Sequence, residues 1–187
     1  MTPVAGVDVS KAWIQTVSGG MFHILDPRQH EILVTDIAHS LSLMCRFTGH
    51  VRRFYSVAEH SWHASYLVPE IDALWALLHD ASESYIADLN RPLKHFTDVG
   101  PAYMQVEEKI MAAICRKFRI DSTQPESVTI ADTAMLYAEK NQLMPPMEWD
   151  QKWGADQTAA DVKIRCWLPD VAKAMFLSRF YELTNQL

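Results

Sequence analysis

Residues 76–94 read ALLHDASESYIADLNRPLK. An unbroken apolar run, 74–78, leads straight into the adjacent pair His79 and Asp80, and Glu83, Asp88, Arg91 and Lys94 follow within fifteen positions. An apolar segment that ends on ionisable side chains sets charged groups in a buried frame. That arrangement is costly unless the charges are paired or bind a metal. The run is apolar nearly all round, as in a central buried helix, and the spacing predicts a helix over 71–85.

Outward from this segment the chain reads as helix after helix. Upstream, Thr35 and Asp36 suit a helix start, and Ile37, Leu41 and Met44 keep helical spacing up to a stop at 47–49, where Gly49 offers an exit. Ser56 with Glu59 three places later forms a capping-box pattern, and this predicts a helix over 56–68 ended by Pro69. Downstream, Pro92 breaks the chain and 94–100 reads as a linker. Helices are expected over 101–118 and 127–144, the second stopped by Pro145-Pro146, and then over 159–167 and 169–183. Before all of these, runs 13–17 and 21–25 flank Ser18-Gly19-Gly20, a hairpin signal. The expectation is an all-α fold, one domain over 1–187, with a small N-terminal hairpin.

Bulk composition narrows the function. The 187 residues suit one core, and 49% hydrophobic with 21% charged residues is neither disordered nor fibrous. A net charge of −6 argues against a general nucleic-acid polymer as partner, which calls for a basic face, but leaves room for a small anion held by a few local cations. Cys45, Cys115 and Cys166 are scattered and odd in number, and read as small buried apolar groups in a reducing compartment. No apolar run reaches membrane-spanning length and the N-terminus shows no signal-peptide pattern, so no membrane association is expected and the cytoplasm is the default location.

Metal sites draw imidazoles and carboxylates from several elements. Adjacent helical residues point about 100° apart, so His79 and Asp80 share an ion only with help from other helices. The 56–68 helix offers His60 and His63, and the 127–144 helix offers Asp132 in the apolar context TIADTAMLY. Each has a plain alternative: Asp132 as a surface carboxylate, His60 as an ordinary polar or core histidine.

The order His60, His79-Asp80, Asp132 on helices resembles the HD-domain metal-dependent phosphohydrolases. VAEHS around His60, LLHDASE around His79 and DLNRPLK around Asp88 are similar to segments of the 5′-deoxynucleotidase-like branch. DIAHSLSLMCRFTGH, with its Arg46-Phe47 pair, looks most like the short phage-type dATP triphosphohydrolases of that branch. The resemblance spans about 35–144. Asn90 stands where the branch has a proline, which bears on the loop near the base.

The resemblance implies an HD-domain helical bundle and His60, His79, Asp80 and Asp132 as ligands of a divalent ion. Zn, Co and Mn all accept such a mixed nitrogen and oxygen set, and the ion would act as a Lewis acid. Glu83, one helical turn past His79, would orient water or move protons, and Asp88 would serve as general acid or base. Their plain readings are a helix-end Glu and a turn Asp. Arg46 and Lys94 would take phosphate oxygens and Phe47 would line the sugar or base. His39, His50 and His63 read as structural or supporting, and Arg91 gains no role. Trp149 and Trp153 would cover a core or an oligomer contact.

The implied function is a metal-dependent phosphohydrolase acting on a deoxynucleotide, foremost a dATP-type triphosphohydrolase that releases triphosphate. The alternatives are a 5′-deoxynucleotidase acting on monophosphates and a non-catalytic nucleotide- or metal-binding scaffold. The branch assembles as oligomers, which implies a homo-oligomer, dimer or higher.

Overall fold

A computed structural model describes residues 8–148 and 158–184. The fold is all-α with a two-stranded antiparallel hairpin near the N-terminus. No helix among the described residues is long and apolar enough to cross a membrane. Packing divides the chain into two units, each built from two separate stretches: 1–41 with 80–123, and 42–79 with 124–187.

In the first unit, β1 (Trp13–Gln15) pairs with β2 (Met21–His23), Ile14 opposite Phe22. The strands are shorter than the sequence suggests because the turn closes early: Thr16 N–H donates to Gly20 O at 2.9 Å and Gly19 adopts φ +83°. The hairpin tip is tied to α1 (Val34–Leu43), since the Ser18 N–H and hydroxyl donate to the buried Asp36 carboxylate at 3.0 and 2.8 Å. Phe22 stacks on Tyr85, with ring centroids 3.7 Å apart. The region expected as a linker, 94–100, begins inside a helix, α5 (Arg91–Phe96). Asn90 caps it by accepting from Leu93 N–H at 3.2 Å, and Pro92 lies in its first turn, where its missing N–H costs nothing. Pro92 therefore starts a helix and does not break one. α5 packs on α6 (Val99–Phe118), and Gly100 is required at their junction because a Cβ there would collide with the Lys94 carbonyl oxygen.

The predicted helix over 71–85 is interrupted. A 3-10 turn (Glu70–Asp72) leads into α3 (Ala73–Leu78), whose C-cap is His79, and α4 (Glu83–Ile86) follows separately. Between them Glu83 N–H reaches Asp80 O and Tyr85 N–H reaches Ser82 O, both at 3.0 Å, three residues back and not four. Glu83 therefore does not lie one α-helical turn beyond His79.

In the second unit, α2 (Val57–Ala64) is flanked by α3, α7 (Glu126–Leu143) and α8 (Pro169–Thr184). Ser56 caps α2 by accepting from Glu59 N–H at 3.1 Å, as the capping-box pattern predicts. The Glu59 carboxylate is used elsewhere. Oε1 accepts from the backbone N–H groups of Arg165 and Cys166 at 2.7 and 2.9 Å, and Oε2 from Trp167 at 2.7 Å. Those bonds explain why 158–168 is an irregular strap and not the expected helix: its N–H groups are spent on a buried side chain, and Cys166 sits at φ +56°. Gln142 holds the same strap through Val162 O at 2.8 Å and Ile164 N–H at 3.1 Å. Buried Arg179 of α8 donates to Ser65 just past the end of α2 and covers the Tyr66 ring. Trp149 and Trp153 lie outside the described residues. Of the cysteines, Cys115 is buried as expected while Cys45 and Cys166 are partly exposed; all are free thiols.

Candidate metal centre

Three elements of the second unit deliver the site. His60 lies in α2 and is fully buried, His79 ends α3 with its side chain 5% exposed, and Asp132 projects from α7 with its side chain 46% exposed. One ligand atom of each lies within 4.8 Å of the others. His60 Nε2 is 3.1 Å from His79 Nε2 and 3.2 Å from Asp132 Oδ1, and His79 Nε2 is 3.8 Å from that same oxygen.

The far side of each imidazole is already committed. His79 Nδ1 is 2.7 Å from Ala76 O and His60 Nδ1 is 2.6 Å from Glu139 Oε1. A carbonyl and an ionised carboxylate only accept, so each Nδ1 donates and, in the neutral ring, each Nε2 holds a lone pair. Two nitrogen lone pairs and a carboxylate oxygen then face one another at 3.1 to 3.8 Å. Such a group repels itself unless a proton or a metal ion lies among its members. Two nitrogens each about 2.0–2.1 Å from one ion lie roughly 3.3 Å apart at a tetrahedral angle, and the observed spacings bracket that value. The donor set fits a divalent cation, and metal-bound imidazoles characteristically donate their other nitrogen in this way.

Ionisation follows the same geometry. Burial and the Arg46 charge press the His60 imidazole toward neutrality. The Glu139 and Asp132 carboxylates outweigh them, and in the metal-free protein its pKa is raised to about 9. Burial opposes ionisation of Asp132, yet its bonds to His60 and His79 hold its pKa far below the usual carboxylate range. Glu139 also ionises against its burial, with the Arg46 charge leading and His60 next, and its pKa is lowered. Burial and the neighbouring Glu139 raise the Tyr55 phenol well above its ordinary value, so it stays a donor.

Sequence reasoning missed Glu139 and Tyr55. Glu139 is fully buried, accepts from Tyr55 Oη at 2.9 Å and from Arg46 Nε at 3.1 Å, and forms an ion pair with one terminal guanidinium nitrogen of Arg46, also 3.1 Å away. A signal for it existed. Glu139 is seven residues after Asp132 on α7, two turns along the same face, and an acid on a core-facing stripe is the anomaly that singled out Asp132.

The remaining predicted residues distribute as follows. Arg46 and Phe47 open a short turn (Arg46–Gly49) where Phe47, Thr48 and Gly49 have φ of 55°, 54° and 80°. Left-handed backbone at two non-glycine residues costs about 1–2 kcal/mol each, so the rest of the unit holds this turn in place. Arg46 N–H bonds Tyr55 O at 2.9 Å, and the guanidinium carbon is 5.5 Å from the Phe47 ring centroid. Asp80 follows His79 directly, is half-buried, and lies outside the converging trio. Glu83 begins α4 half-buried, and Asp88 is exposed in the turn after it. Ala87, just before Asp88, adopts φ +60°, ψ 165°, backbone that glycine usually occupies. Lys94 Nζ is engaged by both oxygens of Glu107 at 2.9 and 2.7 Å and stands 5.4 Å from the Tyr103 ring centroid. His63 packs against Trp167 of the strap, ring centroids 6.0 Å apart, and His50 is exposed. His39 is half-buried in α1.

No protein-family model matches the chain. The uncharacterized protein YfdR of Escherichia coli is 37% identical over 176 residues, 93% of this chain and 97% of its own length. An uncharacterized protein of Rhodobacter capsulatus is 31% identical over 196 aligned positions, 96% of this chain and 99% of its own. Similarity of this extent and coverage means that the chain belongs to one family with the Escherichia coli protein YfdR.

Proposed function

We propose that the protein is a divalent-metal-dependent phosphohydrolase of the HD type acting on a deoxynucleotide, foremost a deoxynucleoside triphosphate of the dATP type. The supporting observation is the pair of imidazoles whose Nδ1 atoms are tied back to Glu139 and Ala76 while their Nε2 atoms converge with Asp132. His60, His79 and Asp132 would hold the ion, and Asp80 joins them on the HD-motif resemblance. When bound, the ion supplies Lewis acidity for opening a phosphate ester.

The chain's own residues have separate tasks. Glu139 and Ala76 O keep the two imidazoles turned with Nε2 toward the centre. Arg46 offers its guanidinium to phosphate oxygens from a turn held rigidly by Tyr55 and Glu139, and Phe47 stands beside it. Glu83 and Asp88 are assigned proton handling on the resemblance of HDASE and DLNRPLK. Lys94 takes a phosphate only by exchanging its pair with Glu107. A homo-oligomer belongs to the same proposal.

The test is to incubate purified protein with Mn, Co or Zn and dATP, dGTP or dAMP, resolving products by chromatography. The expected products are deoxynucleoside and triphosphate, lost with EDTA and reduced at least about a thousandfold by His79→Ala. Inorganic phosphate from dAMP with dATP untouched would move the assignment to a 5′-deoxynucleotidase. Metal and nucleotide binding without turnover would leave a non-catalytic scaffold.

A further inference from the structure

Glu139 brings a charge into the interior and is answered from two sides. Oε1 accepts from His60 Nδ1 at 2.6 Å and Tyr55 Oη at 2.9 Å, and Oε2 accepts from Arg46 Nε at 3.1 Å and forms an ion pair with a terminal guanidinium nitrogen, also 3.1 Å away. Three hydrogen bonds and an ion-pair contact engage both oxygens of the carboxylate. A change at one partner is therefore felt by the others.

We propose that Glu139 is a positioning residue that ties the metal affinity of His60 to the placement of Arg46. The inference rests on the metal-centre reading above. Because a carboxylate only accepts, it leaves the neutral His60 ring one tautomer, proton on Nδ1 and lone pair on Nε2. The same carboxylate fixes the guanidinium next to the strained turn (Arg46–Gly49). One buried group thus sets both the ligand's coordinating face and the position of the cation.

An amide of the same shape separates the two duties. In Glu139→Gln, the oxygen facing His60 and Tyr55 leaves the NH2 against the Arg46 guanidinium, donor against donor. With the amide flipped, the oxygen serves Arg46 and the NH2 meets His60 Nδ1. That nitrogen must then accept, the ring proton moves to Nε2, and coordination there is blocked. Either orientation sacrifices one partner, and the charged guanidinium, the costlier donor to leave unpaired, takes the oxygen. Removing the guanidinium as well, in Arg46→Met with Glu139→Gln, lets the oxygen face His60 without opposition.

The experiment uses the full chain with Co²⁺ as probe. Affinity is measured by competition with a chromophoric chelator, the coordination environment by the visible d–d absorption, and folding by circular dichroism. Glu139→Gln is expected to weaken Co²⁺ binding about 10- to 100-fold and to alter the d–d band. The double variant is expected to bind Co²⁺ several-fold more tightly than Glu139→Gln, a recovery that mere loss of packing would not produce. Unchanged affinity in folded Glu139→Gln, or no recovery in the double variant, would overturn the proposal. Where a variant does not fold, ¹⁵N–¹H spectra of Zn²⁺-loaded wild type decide. Coordination of His60 through Nε2 with a hydrogen-bonded Nδ1–H supports the inference, and coordination through Nδ1 overturns it. If wild type binds no Co²⁺ or Zn²⁺, the metal-centre reading itself falls. Metal binding unaffected by Glu139→Gln removes only the positioning role.

Discussion

His60 sits where opposing influences meet, and its proton reports the outcome. Burial and Arg46 favour the neutral ring, but Glu139 and Asp132 prevail and the folded-state pKa is raised from 6.5 to about 9. A raised folded pKa gives stability that is fully present below about 6.5 and lost as pH rises through about 9. Asp132 acts in the opposite sense. Its pKa is lowered from 3.8, so its contribution is present above that value and is lost in acid. Metal-free protein is therefore expected to lose stability from pH 6.5 to 9, by at most about 3 kcal/mol from His60. Mn²⁺ should reduce this alkaline loss, because the ion takes the place of the proton and binds more tightly as pH rises. Thermal denaturation from pH 5 to 9.5, with EDTA and with Mn²⁺, checks both. A melting temperature flat across the alkaline range would count against a His60 proton that the ion can replace.

Among the elements, the strap over 158–168 owes its conformation to Glu59 more than to its own residues. In an isolated sequence its apolar and polar pattern suits a helix, but three consecutive amides are held by one buried carboxylate. Charge-assisted bonds to a buried group are among the stronger ones. In Glu59→Gln, the oxygen can serve Arg165 and Cys166, and the NH2 then faces the Trp167 N–H, donor against donor. The expected cost is about 1–3 kcal/mol, read by urea denaturation, together with faster hydrogen exchange at 165–167 and quicker proteolysis within the strap. A variant as stable and as protected as wild type would show that Gln142 and the Trp167 ring contacts suffice. The interruption at 79–82 has a related origin. His79 is drawn to its own helix by the bond from Nδ1 to Ala76 O, and the chain beyond closes with shorter-range bonds.

For the molecule as a whole, the three converging ligands come from 42–79 and 124–187, both stretches of one packing unit. An ion binding only the folded arrangement stabilises it by mass action, about 2.7 kcal/mol at a hundredfold excess over Kd. Protection against hydrogen exchange on adding Zn²⁺ is therefore expected to concentrate in α2, α3 and α7, which supply the ligands, with little change in the hairpin of β1 and β2. Mass spectrometry of deuterated peptides with and without Zn²⁺ measures this. Protection confined to the hairpin and α6 would place metal binding elsewhere than at His60, His79 and Asp132.

What the sequence by itself determined was mostly local. Hydrophobic periodicity placed α6 and α7 within about two residues, because a 3.6-residue stripe reports which face is buried whatever it is buried against. Gly19 and its neighbours marked the hairpin, and Ser56 marked the start of α2, since turn and cap chemistry acts over a few residues. The anomaly of ionisable groups in apolar surroundings singled out His79, Asp80 and Asp132, and the resemblance of their order to the HD-domain pattern brought in His60. Only the tertiary structure decided what those groups meet. Nothing in spacing tells that a carboxylate seven residues beyond Asp132 accepts the hydrogen bond from His60, that Lys94 is engaged by Glu107, or that Glu59 captures a strap more than a hundred residues away. Those choices come from long-range packing, where the cost of burying a charge is met by whichever partners the fold brings within hydrogen-bonding distance.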